Sequence, residues 1–292
     1  MINLTGQFTV ATTKTSNMEI LNKLLAIDPN YLLIGFIAVF YSLEQILNTQ
    51  FKFAKRPQHL FHNILFLVAF VLSNLLWATV TVFSIEWLNK NEIGLFYLVE
   101  VPVWLKLVLG VAMFDFVSYW FHRFAHITPV LWRFHRVHHS DTSMDASTNF
   151  RAHPVELTLY FGTASILAAA IFGLDLLTLG LYFLVLTPFF FFEHSNLRFP
   201  KWLDKTVGLV FTTPNIHKVH HEQDQHYTDS NFSDIFIIWD RLFGTFKYKP
   251  PEEIKFGLKE FENDKKQTFW YLMISPFISM GRVSSEELKK GK

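Results

Sequence analysis

From Ile64 to Phe83 the chain reads ILFLVAFVLSNLLWATVTVF, without one charged residue. About twenty apolar residues is the length of a helix that crosses a bilayer core. Val101 to Phe121 is similar, apolar except for Lys106 and Asp115. Leu157 to Phe192 is apolar throughout but would measure about 54 Å as one helix, so it splits near Gly173 to Asp175 into a hairpin of two spans. Tyr31 to Leu47 is a weaker span, interrupted by Glu44 and Gln45. The pattern predicts an all-α fold, a polytopic transmembrane helical bundle of four to five spans. Thr268 to Met280 is apolar but short and broken by Pro276, which suits an interfacial or core-packing segment.

The polar stretches set the orientation. Lys52, Lys55 and Arg56 lie between the first two spans, and excess positive charge marks the cytoplasmic side. Alternate crossings then place 122–156 and 193–292 on that face, where they would form a cytoplasmic, helical, histidine-rich cap. The organisation expected is 1–100 for the polar N-terminal segment and first two spans, 101–249 for the core, and 250–292 for a polar tail. The opening residues have no basic stretch ahead of an apolar core, so no cleaved signal peptide is expected. The ending KKGK reads as a solvated tail, with a dilysine retrieval signal as the lesser reading.

Composition narrows the chemistry. Half of the 292 residues are apolar, 33 are Phe, and the formal net charge is +1. Such a balance gives no basis for a nucleic-acid partner. The absence of Cys excludes disulfides, thiolate zinc sites and Cys-ligated iron–sulfur clusters.

What stands out among the polar residues is histidine, thirteen in all. Nine fall in boxes: His122-x-x-x-His126, His135-x-x-His138-His139, His194, and His217-x-x-His220-His221. Positions three and four apart share one helix face, close enough for one ion to bridge. Adjacent helical residues diverge by about 100°, so each His-His step would send one ring to each of two sites. Nine imidazoles exceed what one ion takes, and a dinuclear centre would use them all. As ordinary polar residues these rings would each cost roughly 1 to 3 kcal/mol if buried unpaired, and a pH sensor does not require the paired step. For His59, His62 and His226 the satisfied polar residue is the better reading. Imidazole suits zinc, copper, iron and nickel, with zinc favoured over ferrous iron by affinity, so zinc is expected to compete in purified material. The boxes lack the Glu of a zinc hydrolase, and O₂ chemistry on iron needs no protein nucleophile; iron is therefore preferred. A membrane metal-binding or transport protein without catalytic activity is the alternative; transport predicts ionisable groups strung through the spans.

HRFAH, HRVHHS, RAHPVE, FFEHSN and TPNIHKVHHEQDQHYTDSNFSDIFIIWDRLFGTF together resemble the sterol desaturase and fatty acid hydroxylase superfamily, over about Asp115 to Phe246. The resemblance implies a membrane di-iron oxygenase that hydroxylates or desaturates a lipid C–H bond with O₂ as co-substrate. It also implies a separate electron donor, such as cytochrome b5, a ferredoxin or a reductase, and a bacterial inner membrane or endoplasmic reticulum location. One iron would take His122, His135, His138 and His220; the other would take His126, His139, His194, His217 and His221. His153 is a candidate extra ligand or supporting donor, with a helix-start role beside Pro154 as its rival. Asp115 is expected to orient an imidazole from a neighbouring helix, and Asp229 and Asn231 to serve likewise.

Overall fold

A computed structural model describes residues 29–47, 49–52 and 55–278; the signal-peptide and terminal-lysine readings fall outside them. The main helices are α1 (Pro29–Ile46), α2 (Arg56–Lys90), α3 (Val103–Ile127), α4 (Pro129–His135), α5 (Pro154–Phe172), α6 (Leu176–His194), α7 (Pro214–His220), α8 (Ile238–Leu242) and α9 (Phe269–Ile274), with short turns between them. Among the described residues there is no strand, only the isolated bridges Thr49↔Leu197 and Glu222↔Phe256. Four helical stretches are long and apolar enough to cross a membrane, namely Arg56–Leu75, Val103–Ile127, Pro154–Phe172 and Leu176–His194, while Tyr31–Ile46 is shorter.

The predicted hairpin divides where the sequence suggests. Gly173 ends α5 with φ +74°, a left-handed conformation that only Gly adopts without strain, and the Asp175 side chain accepts from Thr178 N at 2.9 Å to start α6. The second span differs from expectation at both ends. Lys55 and Arg56, read as part of a connection, are the N-cap and first residue of α2, with Pro57 in the first turn. At the other end the helix runs past Phe83 to Lys90, because Asn89 is satisfied by the Leu174 carbonyl at 3.1 Å.

These contacts give the bundle two distinct ends. At one, Gly94 lies so close to Gly173 that a Cβ there would come within 2.0 Å of its nitrogen, and Lys106 pairs with Asp175 at 3.6 Å. At the other, Glu44 near the end of α1 accepts from Ala146 N at 3.0 Å and Asn196 N at 2.7 Å, and is paired with Arg56. All the boxes gather at this second end. Between them a core of Ile85, Val111, Phe114, Ala168, Tyr182 and Leu186 joins α2, α3, α5 and α6.

The segment expected as a polar tail folds over the cap. Phe269 and Leu272 of α9 are buried with Phe66 and Trp132, which is the core-packing outcome for the part of 268–280 that is described. Arg136 donates to Ser275 O at 2.7 Å, and Gln223 N to Lys255 O at 2.7 Å.

Candidate metal centre

Each box is delivered by a helix end. His122 and His126 lie one turn apart at the cap end of α3, His135 closes α4, and His194 closes α6. His138 and His139 occupy a tight turn directly after α4, while His217 and His220 ride on α7 with His221 as its C-cap. Two short helices are fixed locally by their first turns: Pro129 opens α4, and α7 begins with Thr213 as N-cap and Pro214 next, a favourable start because Pro gives up no helical N–H there.

The nine imidazoles fall into two groups, within each of which one nitrogen per ring lies within 4.8 Å of all the others. His122, His126, His135, His139 and His220 form one; His138, His194, His217 and His221 form the other. Both His-His steps divide between the groups. The membership, however, differs from the partition implied by the resemblance: His126 and His139 join the first group and His138 the second. Since α3 places His126 one turn from His122, both rings of that box meet the same neighbours.

The nitrogen that faces away from the centre determines what the facing one can do. Nδ1 of His122 contacts Phe232 O at 2.7 Å, that of His138 Arg151 O at 3.1 Å, that of His194 Phe190 O at 2.8 Å, and that of His220 Ser230 O at 2.7 Å. A carbonyl only accepts, so each Nδ1 carries the proton and each neutral ring presents a bare Nε2 lone pair inward. Two such atoms, His138 Nε2 and His194 Nε2, stand 3.2 Å apart. Burial holds the His138 imidazole down at about 4 and His135 at about 3. It also drives His139, His217, His220 and His221 well below the ordinary range, reinforced by neighbouring imidazoles. Neutral rings whose lone pairs face one another repel unless a cation lies between them. In addition, His139 Nδ1 and His220 Nε2 are buried without a hydrogen-bond partner. This nitrogen-only donor set fits a first-row transition metal.

Carboxylates back several rings. Asp229 Oδ1 lies 3.1 Å from His126 Nδ1, and Glu156 accepts from His135 Nδ1 in a short contact. Glu193 Oε2 is 3.6 Å from His217 Nδ1, and Asp234 Oδ1 is 4.0 Å from His122 Nδ1. Glu156, Glu193 and Asp234 were not singled out by the boxes. Two of them had a signal, an acid flanking a predicted apolar span, in RAHPVE and FFEHSN.

Three other candidates have structural partners instead. Asp115 accepts from Ile235 N, Phe236 N and Trp239 Nε1, each at 3.0 Å, tying α3 to the loop before α8 and orienting no imidazole. Asn231, at φ +52°, donates to Ile216 O and Lys247 O. His153 is the N-cap of α5: its Nδ1 accepts from Val155 N at 3.2 Å and its Nε2 donates to Met273 O at 3.2 Å. Neither group includes His59, His62 or His226; His59 pairs with Asp141 at 2.8 Å.

A cavity of about 130 Å³ opens onto both groups, touching His122 and His135 of one and His138, His194 and His217 of the other.

Residues 107–245 match the family model for fatty acid hydroxylase. The chain is 31% identical over 164 residues to alkylglycerol monooxygenase of Homo sapiens, covering 53% of this chain and 33% of the human enzyme. It is 29% identical over 186 residues to an ornithine lipid hydroxylase of Rhizobium tropici, covering 62% and 53% of the two chains. A third relative, a very-long-chain aldehyde decarbonylase of Oryza sativa subsp. indica, is 33% identical over 159 residues, covering 53% and 58%. The matched stretch thus spans about a third to somewhat over half of these relatives' lengths. No solved structure matches significantly. The boxes' rings gather at one end of a bundle with four helices long and apolar enough to cross a membrane, and the match of 107–245 to the fatty acid hydroxylase model together with these relatives supports the sterol desaturase and fatty acid hydroxylase superfamily for this chain.

Proposed function

We propose that this protein is a membrane-bound di-iron oxygenase that hydroxylates a C–H bond of a lipid, with desaturation as the variant outcome of the same site. One O₂, two electrons and two protons convert C–H to C–OH and release one water. The observation that carries the reading is the inward-facing array of bare imidazole nitrogens beside an apolar cavity.

One ion would be held by His122, His126, His135, His139 and His220, the other by His138, His194, His217 and His221. Iron bound there supplies the O₂-dependent oxidation of an unactivated C–H bond. The protein's contribution is positioning: carbonyls and carboxylates at Nδ1 of His122, His126, His135, His138, His194 and His220 fix the tautomer and direction of those rings. Glu156, Glu193, Asp229 and Asp234 lie beside the rings, and the division of the nine imidazoles into two groups supports a count of two. Burial of the site within the cap and bundle excludes bulk water.

The relatives' names specify an alkylglycerol, an ornithine lipid and a very-long-chain aldehyde, all carrying hydrocarbon chains, which supports a lipid substrate drawn from the bilayer. Lys52, Lys55 and Arg56 favour a cytoplasmic cap, where a separate cytochrome b5, ferredoxin or reductase would deliver electrons, in a bacterial inner membrane or the endoplasmic reticulum. The test is iron-reconstituted protein supplied with a donor, ¹⁸O₂ and a lipid panel. A labelled lipid product is expected, along with about two metal ions per chain; no labelled product from any lipid overturns the reading. His138→Ala should abolish turnover.

A further inference from the structure

Two of the five rings in the first group are aimed by one short loop. Ser230 O and Phe232 O accept from Nδ1 of His220 and His122, each at 2.7 Å, although those rings come from α7 and α3. A carbonyl takes its direction from its peptide plane, and in a trans peptide it points opposite to the N–H of the next residue. Ser233 N, which shares its plane with Phe232 O, donates to Asp240 Oδ2 at 2.9 Å, and Phe232 N donates to Asp240 Oδ1 at 2.9 Å. Asn231 N, which shares its plane with Ser230 O, donates to Thr245 O at 3.2 Å. Thr245 is itself held by Asp240, through Thr245 N to Asp240 O at 2.8 Å and Thr245 Oγ1 to Asp240 Oδ1 at 2.6 Å. Both planes therefore lead back to Asp240, fully buried in α8. The second group has a different support. His138 Nδ1 donates to Arg151 O at 3.1 Å, and the buried Arg151 side chain reaches Ser140 Oγ at 3.2 Å, Asn63 Oδ1 at 3.3 Å and Gln267 O at 3.2 Å. Residue 151 is thus held from the second box, α2 and the folded tail at once. His194 needs no such brace, because its acceptor, Phe190 O, lies one turn back in α6.

We propose that the two metal positions are aimed by separate buried braces: Asp240 is a positioning residue for the group of His122, His126, His135, His139 and His220, and Arg151 is one for the group of His138, His194, His217 and His221. Neither side chain is offered as a ligand. Each acts through a carbonyl that holds a ring's Nδ1 proton, so that Nε2 stays turned inward. Loosening a brace lets that carbonyl turn with its peptide plane, and the ring it held loses direction. The other group keeps its own brace, so the loss is confined to one ion. The inference rests on the two-ion reading of the site and not on the reaction.

The experiment reads metal and not turnover. The full chain in nanodiscs is loaded with zinc and challenged with a graded chelator, and zinc per chain is measured. The unsubstituted chain should hold both ions; fewer overturns the two-ion reading and the proposal with it. Asp240→Asn replaces one accepting oxygen with an amide that donates, and should weaken one ion about tenfold while leaving the other unchanged. Arg151→Lys keeps the charge but loses the planar fork, and should do the same to the other ion. His194→Ala, which disables the second group, tells the two apart. In that background Arg151→Lys should have no further effect on the ion that remains, whereas Asp240→Asn should weaken it about tenfold. Equal weakening of both ions by either variant, weakening of the same ion by both, or full retention by either overturns the proposal and leaves the two-ion reading standing. Gly94→Ala, at the far end of the bundle, reports lost stability alone and should weaken neither ion. Where Asp240→Asn does not fold, Thr245→Val removes one bond to the same carboxylate and should weaken the same ion by a smaller factor; equal weakening of both ions by it also overturns the proposal.

Discussion

Nδ1 of His135 meets a carboxylate where Nδ1 of His138 meets a carbonyl, and the two rings should respond differently to substitution. Glu156→Gln keeps an acceptor but removes the charge, and should weaken metal retention about tenfold, with Glu156→Leu nearer a hundredfold, read by chelator competition. His153→Ala should leave retention unchanged and cost about 1 kcal/mol of stability, the loss of a helix cap. Through His135 and His138, acid should destabilise the metal-free protein. His135 and His138 sit at about 3 and 4 in the fold but near 6.5 in the unfolded chain, so the unfolded state binds the extra protons. Their contribution is complete above about pH 6.5 and is lost as pH falls towards 4. Buried acids such as Glu44, held up at about 7 by burial, contribute with the opposite sign, so the measurement is a difference: between pH 8 and 4.5 the melting temperature of metal-free protein should fall further for the unsubstituted chain than for His138→Gln, and equal falls would contradict the assignment.

The spans themselves were legible because twenty apolar residues have few alternatives to a bilayer or a core. Their ends were not, since a polar residue such as Arg56 or Asn89 belongs to a helix once a distant group satisfies it, and hydropathy does not register that partner. The far end of the bundle tests how tightly these elements are joined. Gly94 has φ +124°, and a Cβ there would lie 2.0 Å from Gly173 N, backbone against backbone. Gly94→Ala should cost at least about 2 kcal/mol through strain and displacement, measured by thermal unfolding. Because the boxes lie at the opposite end, the protein that still folds should retain its metal. The stretch before Thr268 misled for a similar reason: mixed charge from Pro250 onward suggests solvent, yet Ile254 and Phe256 are buried and Phe261 fully so.

At the scale of the molecule, the cap is closed by residues that carry no box. Gln267 accepts from Arg151, Ser275 O from Arg136 and Met273 O from His153, and these three donors lie in the second box or link it to α5. A chain ending at Lys249 keeps all nine histidines but should lose metal binding and become protease-sensitive in the cap; retention of metal by this truncated chain would show that the tail is dispensable. The sequence by itself determined the class of the protein, because hydrophobic length, histidine spacing and the lack of Cys are properties of the chain that no packing can change. It also determined that each His-His step would serve two groups, since neighbouring side chains diverge whatever surrounds them. Only the tertiary structure decided which rings share a group, that Asp115 and Asn231 brace backbone instead of imidazoles, and that Glu156 and Glu193 stand beside a cavity. Those outcomes depend on where four helices and a folded tail converge, and convergence between residues far apart in the chain leaves no local mark on the sequence.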